Sequence, residues 1–381
     1  MSKSKLYRLL LGASVVSFLG LSATVRAEDI KIGFVGPLSG PVAVYGTEPL
    51  QAARVAVEEI NASGTLGDDK LVLVPADSAA NPAQAAQAAR RMVLSDDVLL
   101  IIGGHTSAET QAVTEATRPL QVPVLSSLAQ DSSLTQVGNK WFARTCLSTD
   151  LWGDAIARWL KQKHSPKTVY MLSRNDSYGQ SLGNSIAAGL KKEGIEIIDN
   201  VAYDPQTKEF KPILAEVQKA NPDFIVISGF YTDTGLLVKQ MAELGIDKPY
   251  FNNTAPAIPQ FKEIAGPAAE GAYGATYYLP GSIDSPKAAE FVEAWTKRTG
   301  KAPSQYEGMG YDAVYLVADA IRRAKESGEL SRESVRDAIY ATKDFDGVTG
   351  KTTITENGDV KRPLPFIQLK DGKPVLDMLV E

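Results

Sequence analysis

From Glu28 onward the chain alternates short β-branched runs with helical stretches, and it does so in two successive series. That alternation restricts it to an α/β architecture with parallel-rich sheets. A first strand is predicted over 30–36. Apolar residues at helical spacing (Ala52, Val55, Ala56, Ile60) predict a helix over 48–61, and strand chemistry resumes over 71–74. Asn81 and Pro82 supply a cap and a first-turn proline for a helix over 82–94. A strand over 98–102, a helix over 107–117 and a strand over 122–125 follow. After Cys146 the series restarts with a helix over 150–163, strands over 168–172, 195–201 and 223–227, and helices over 180–192, 209–220 and 234–244. Three more helices are predicted over 286–299, 305–326 and 333–342, and the turn at 356–359 marks a β-rich tail of hairpins. No Pro/Gly/Ser-rich linker separates the series. Two doubly wound lobes joined by several crossings, free to hinge as rigid bodies, are therefore expected.

Length agrees with two lobes once the first 27 residues are set aside. They read as a secretory signal with a basic start (Lys3, Lys5, Arg8), an apolar run over 9–21 and small residues Val25 and Ala27 before the expected cleavage point. The apolar run is too short to span a bilayer, which takes about 20 residues. Cleavage after Ala27 leaves 354 residues, more than one hydrophobic core usually covers. It also removes Lys3, Lys5, Arg8 and Arg26, taking the net charge from −5 to −9. A chain of that sign is a poor partner for nucleic acid. The one cysteine, Cys146, has no intramolecular partner for a disulfide, and no lipid-accepting cysteine ends the signal. A free protein of a Gram-negative periplasm is the expectation.

Catalytic signatures are weak throughout. Only His105 and His164 are present, and no histidine follows Ser181, so the Gly179-x-Ser181-x-Gly183 motif cannot complete a Ser, acid, His series. The stretch Gly347 to Thr352 has the Gly-Lys-Thr end of a phosphate loop but carries Phe345 where the first glycine belongs, and precedes strand-like residues. Gly308-x-Gly310 lies inside a predicted helix. No catalytic residue, metal site or cofactor is expected.

Binding chemistry is better represented. Gly103-Gly104-His105-Thr106-Ser107 falls where a buried strand ends and a helix begins, the place where open α/β sheets present ligand sites. First-turn amides, the helix dipole and the hydroxyls of Thr106 and Ser107 suit a carboxylate. The alternative at Ser107 is a plain helix cap. His105 suits local hydrogen bonding. Tyr45, Tyr178 and the pair Phe230-Tyr231 recur after strand ends in both series, as expected of an aromatic-lined cleft.

Taken together, Glu28 to Gly33, Gly36 to Gly46, Ala53 to Asn61, Tyr178-Gly179 and Gly266 to Gly271 resemble the leucine/isoleucine/valine-binding proteins, type I periplasmic binding proteins of ABC importers. The resemblance spans the mature chain. It implies a two-lobed, flytrap-like binding protein whose halves are joined by a three-crossing hinge, with lobe 1 at 28–147 and 279–355 and lobe 2 at 148–278 and 356–381. It implies no catalysis, and a monomer that closes on a small solute and is read by an inner-membrane permease. A periplasmic ligand sensor is the alternative use of the same fold. By the same likeness Tyr45 matches the cleft wall, Ser107 the carboxylate-binding hydroxyl, Ala129 and Gln130 an Ala-Thr ligand pair, and Tyr178 and Phe230 the aromatics of lobe 2. Three departures bear on the ligand. Where the family's amino-acid binders carry an acid for the ligand ammonium, this chain reads Asn252-Asn253-Thr254-Ala255-Pro256; Gln130 stands for threonine; and Ala79, Ala80 and Thr106 occupy the region of the family's early disulfide. The expected ligand is a small carboxylate without an α-amino group, an aromatic or short organic acid, with an aliphatic amino acid as the alternative.

Overall fold

The computed structural model describes residues 28–380; residues 1–27, expected to be a signal, and Glu381 lie outside them. The first sheet holds five parallel strands, β1 (Asp29–Gly36), β2 (Lys70–Asp77), β3 (Leu100–Gly103), β4 (Val124–Ser126) and β5 (Phe142–Arg144), in the order β2-β1-β3-β4-β5. Helices α1 (Val44–Ser63), α2 (Pro82–Leu94), α3 (Ser107–Thr117) and the single turn α4 (Ser133–Gln136) connect them. Both faces of this sheet are covered, as parallel sheets require. Ile32, Phe34 and Ile102 pack into the core beneath α1, while Val35, Ile101 and Val124 pack with Ala85, Ala89 and Met92 of α2.

The second series runs through α5 (Thr149–Lys163), β6 (Thr168–Arg174), α6 (Ser177–Lys192), β7 (Glu196–Tyr203), α7 (Lys211–Ala220), β8 (Phe224–Ser228), α8 (Tyr231–Glu243), β9 (Tyr250–Phe251), α9 (Pro259–Ala265) and β10 (Tyr273–Ala275). Then come α10 (Pro286–Thr299), α11 (Gln305–Ser327), α12 (Arg332–Tyr340), the small hairpin of β11 (Phe345–Gly347) and β12 (Gly350–Thr352), and a terminal hairpin of β13 (Leu364–Lys370) and β14 (Lys373–Val380). The second sheet has seven strands in the order β14-β13-β10-β9-β8-β6-β7, parallel except at the terminal hairpin. Trp159, fully buried, stacks on Phe366 at 5.0 Å and ties α5 to that hairpin.

Although α10 to α12 follow the second sheet in sequence, they belong with the first. Arg298 pairs with Glu58 at 2.7 Å, Tyr311 donates to Glu59 at 2.5 Å, Arg332 donates to the Val98 carbonyl at 3.0 Å and Tyr340 to the Phe142 carbonyl at 2.7 Å. The chain therefore passes between the lobes three times, after β5, after β10 and after β12. The expected two-lobed α/β architecture is borne out.

Three motifs take on definite places. Gly179 to Gly183 lie within α6, with no strand-to-helix elbow. Gly347 and Gly350 flank a hairpin turn held by Asp312, whose carboxylate accepts from the amides of Val348 and Thr349 at 2.8 Å each. Gly308 and Gly310 lie in α11, the latter against Pro49. The first helix departs from expectation: it starts at Val44, a turn before the predicted 48, and carries Pro49 inside. The turn at 40–47, closed by bonds such as Thr47 N to Ala43 O at 2.8 Å, leads straight into it and puts Tyr45 in its first turn.

Candidate ligand cleft

Every parallel strand delivers its carboxyl end to one edge of its sheet, and the two edges face each other across the cleft. Twelve residues line the cavity there: Tyr45 after β1, His105, Thr106 and Ser107 after β3, Leu128 and Gln130 after β4, Tyr178 after β6, Phe230 after β8, Asn253 and Thr254 after β9, Tyr277 in the second crossing and Tyr306 at the start of α11. This is the position that open α/β sheets reserve for ligands.

Of the eight residues expected from sequence, seven meet at this cavity. The eighth, Ala129, does not. It is fully buried, and its carbonyl accepts from Arg144 Nη1 at 3.1 Å and from the Cys146 thiol at 3.3 Å. Tyr231 also stays outside the lining; its hydroxyl reaches across to donate to the Pro41 carbonyl at 2.6 Å.

The loop into α3 is built by local chemistry. Gly104 has φ +61, a conformation that suits glycine, and a Cβ there would run into Thr110. Thr106, not Ser107, caps the helix. Its hydroxyl accepts from Glu109 N at 3.3 Å and donates to Glu109 Oε2 at 2.6 Å, and the same carboxylate accepts from Thr106 N at 3.1 Å in a reciprocal box. The Thr106 proton is thereby committed. Ser107 differs: its oxygen accepts from Asp131 N at 3.2 Å, which leaves the hydroxyl proton for something in the cavity. The amides of Ser107 and Ala108, in the first turn, have no intrahelical carbonyl to bond.

Aromatic rings make the remaining walls. Tyr178 stacks on Phe230 (5.4 Å, 21°), and Tyr45 meets Phe230 (5.4 Å, 68°) and Tyr306 (5.3 Å, 89°) edge-on. Asn253 Nδ2 donates to the Tyr178 hydroxyl, the hydroxyls of Thr254 and Tyr306 share a bond of 3.3 Å, and Tyr277 donates to the Leu128 carbonyl at 3.2 Å. Burial holds the phenols of Tyr45, Tyr178, Tyr277 and Tyr306 well above their ordinary pKa, so all four stay neutral.

None of the twelve lining residues is Asp, Glu, Lys or Arg. Burial also pushes the His105 imidazole down to about 4, so it is uncharged at neutral pH. Its Nδ1 bonds the Val35 carbonyl at 3.2 Å; a carbonyl only accepts, so that nitrogen carries the proton and Nε2 is an acceptor. Behind the wall, Arg174 lies 4.5 Å from the Phe230 ring but is paired with Asp176 (2.6 Å) and Asp233 (3.2 Å). Three buried polar atoms of the lining have no partner: His105 Nε2, Gln130 Nε2 and Asn253 Oδ1. Buried polar atoms are rarely left so. The cavity measures about 30 Å³, room for roughly two waters. Anything larger enters by parting these rings.

Sequence reasoning missed Leu128, Asn253, Tyr277 and Tyr306 as lining residues and gave His105 a local role only. Tyr306 carried a readable signal, since it follows Ser304 of a Ser-x-x-Glu capping box, a first-turn aromatic like Tyr45 and Tyr178. Tyr277 had none; it sits in a crossing without periodicity.

Among the described residues no helix is long and apolar enough to cross a membrane, and no group of three or more His, Cys, Asp or Glu gathers as a metal site. The family described as periplasmic binding proteins matches residues 29–374. A leucine-specific-binding protein of Salmonella typhimurium is 30% identical over 344 residues, 90% of this chain and 91% of that one. A crystal structure of a leucine-binding protein from Thermotoga maritima superposes with a TM-score of 0.88 at 28% identity, covering 92% of this chain and 99% of its own. The substrate-binding protein of a branched-chain amino acid transporter from Streptococcus pneumoniae, in complex with isoleucine, gives 0.85 at 27% identity with coverage of 92% and 99%. The chain is a member of the periplasmic binding protein family, on the branch of the leucine/isoleucine/valine-binding proteins.

Proposed function

We propose that this protein is the exported receptor of an ABC importer, which closes its lobes on a small carboxylate lacking an α-amino group and hands it to an inner-membrane permease without chemical change. The carboxylate sits at the start of α3, donated to by Ser107 Oγ and the first-turn amides, with Gln130 Nε2 as a further donor. Tyr45, Tyr178, Phe230 and Thr254 surround the rest of the molecule. Thr106 acts through the cap it forms, and Ala129 through the carbonyl that fixes Arg144. The lobes divide at 28–147 with 279–355 and at 148–278 with 356–381, a division supported by sheet membership and by the contacts of α10 to α12. Residues 1–27 are removed on export to the periplasm.

The observation that carries the ligand class is the lining without an ionised side chain. A carboxylate finds neutral donors and the positive end of a helix dipole. An ammonium finds no carboxylate, and a desolvated charge without its partner costs several kcal/mol. Aromatic walls favour a flat acid of benzoate type. An aliphatic amino acid is the second reading, favoured by the relatives that bind leucine and isoleucine. Calorimetry separates the two: saturable heat with benzoate or a branched 2-oxo acid, and none with leucine or valine, is the expected result. Tight binding of leucine or valine with no response to the acids overturns the order. Native mass spectrometry of the purified protein gives the mass of any retained ligand directly.

A further inference from the structure

A carboxylate carries only lone pairs, so in the cleft it can use donors and nothing else. The donors there are the Ser107 hydroxyl, which keeps its proton, the first-turn amides of α3 and the Gln130 side-chain amide. Two groups of the same lining can only accept. His105 directs its one ring proton to the Val35 carbonyl at 3.2 Å, which leaves Nε2 with a lone pair. Asn253 gives its amide nitrogen to the Tyr178 hydroxyl, which leaves Oδ1. Both side chains are more than nine-tenths buried, and neither acceptor atom has a partner among the described residues.

His105 is the better placed of the two. Its ring lies against Phe34 (4.9 Å, 36°) and is pinned by the Val35 bond, so its lone pair is held in a fixed direction. Ser107 follows two residues later in the same loop. One lobe therefore presents a carboxylate donor and a lone pair from a single short segment, before the other lobe closes. Asn253, after β9 of the second sheet, adds a further acceptor from the opposite side. Charge decides which donor suits these acceptors. Both are neutral, and no ionised side chain lines the cavity, so an ammonium would bring an uncompensated charge. A hydroxyl brings a proton without a charge and is far less costly to desolvate.

On the carboxylate reading of the cleft, we propose that the ligand is an aromatic hydroxy acid whose hydroxyl donates to His105 Nε2, which makes His105 the residue that selects hydroxylated acids over plain ones. The test is calorimetry of the mature protein with benzoate, meta- and para-hydroxybenzoate, and meta- and para-fluorobenzoate. Fluorine is close to a hydroxyl in size and has no proton to donate. At least one hydroxybenzoate binds about tenfold tighter than both benzoate and its own fluoro counterpart. His105→Phe keeps a flat ring and removes the lone pair, and in it the ratio of hydroxy to fluoro affinity falls to about one. The Val35 carbonyl still accepts from Gly104 N at 3.0 Å in that variant, and melting temperature checks the fold. If the variant does not fold, the wild-type ratio decides without it. Equal affinity for all five acids, or a ratio retained in folded His105→Phe, overturns the assignment of the hydroxyl and leaves the carboxylate reading standing. Heat from leucine or valine with none from any acid overturns that reading and the hydroxyl with it.

Discussion

Two adjacent hydroxyls at the start of α3 have different protons to give. Thr106 spends its proton on Glu109, while Ser107 accepts from Asp131 N and keeps its own. Ser107→Ala should therefore weaken carboxylate binding by about 1–3 kcal/mol, the range for a hydrogen bond to a charged group. Thr106→Ala should instead lower stability by about 0.5–2 kcal/mol through the lost cap, with the smaller effect on affinity. Calorimetry and thermal melting of the two variants read this difference, and equal affinity losses would remove the distinction. His105 sets a pH dependence. Its imidazole, at about 4 in the fold against 6.5 unfolded, binds a proton more readily in the unfolded chain. Stability from its neutral burial is complete above pH 6.5 and is lost as pH falls from 6.5 through 4, by about 3 kcal/mol at most. Denaturation midpoints of wild type and His105→Gln between pH 7 and about 4 should converge as the pH drops; parallel curves would exclude His105 as the source.

At the level of elements, caps decided what was legible in the sequence. The helices at Pro82–Leu94, Ser107–Thr117 and Pro286–Thr299 begin and end where predicted. Asn81, Thr106 and Ser285 each accept a first-turn amide there, and proline stands at the start of two of them. α1 lacks a side-chain cap, so its start was invisible. Short strands such as β5 and β10, three residues each, carry too few side chains for a period to register. Yet β5 holds Arg144, which is fully buried. It pairs with Asp359 of the third crossing, donates to the carbonyls of Ala129 (3.1 Å) and Asp131 (2.9 Å), and donates to Thr135 at 2.8 Å. One guanidinium thus fastens the loop after β4 to the chain that leaves for the second lobe. Arg144→Ala strands Asp359 and two carbonyls, and should cost about 3–5 kcal/mol, as for a buried pair broken on one side. A denaturant midpoint close to wild type would show that water replaces the guanidinium. Site residues were readable at most strand-to-helix junctions, Leu128 and Asn253 excepted, while Tyr277, in an irregular crossing, was not.

At the scale of the whole molecule, the lobes meet across the cleft as well as at the crossings. Tyr231 of α8 donates to Pro41 at 2.6 Å, Thr254 shares a bond with Tyr306 at 3.3 Å, Tyr277 donates to Leu128 at 3.2 Å, and Tyr45 packs against Phe230 and Tyr231. All but one of these involve residues that line the cavity, so a ligand alters them as it binds. Tyr231 is the exception. Its bond to Pro41 belongs to the closed arrangement and touches no ligand, which makes it a handle on closure alone. Removing it with Tyr231→Phe takes away about 0.5–1.5 kcal/mol from the closed state. Affinity scales with the fraction of molecules able to close, so a largely open ligand-free protein should lose up to about tenfold in Kd without any change at the ligand contacts. Calorimetry reads that loss, and X-ray scattering of the ligand-free variant should give a radius of gyration equal to or larger than that of wild type. An unchanged Kd would mean that the bond forms no part of closure. Closure would then rest on the Thr254–Tyr306 and Tyr277–Leu128 bonds and on the aromatic contacts of Tyr45.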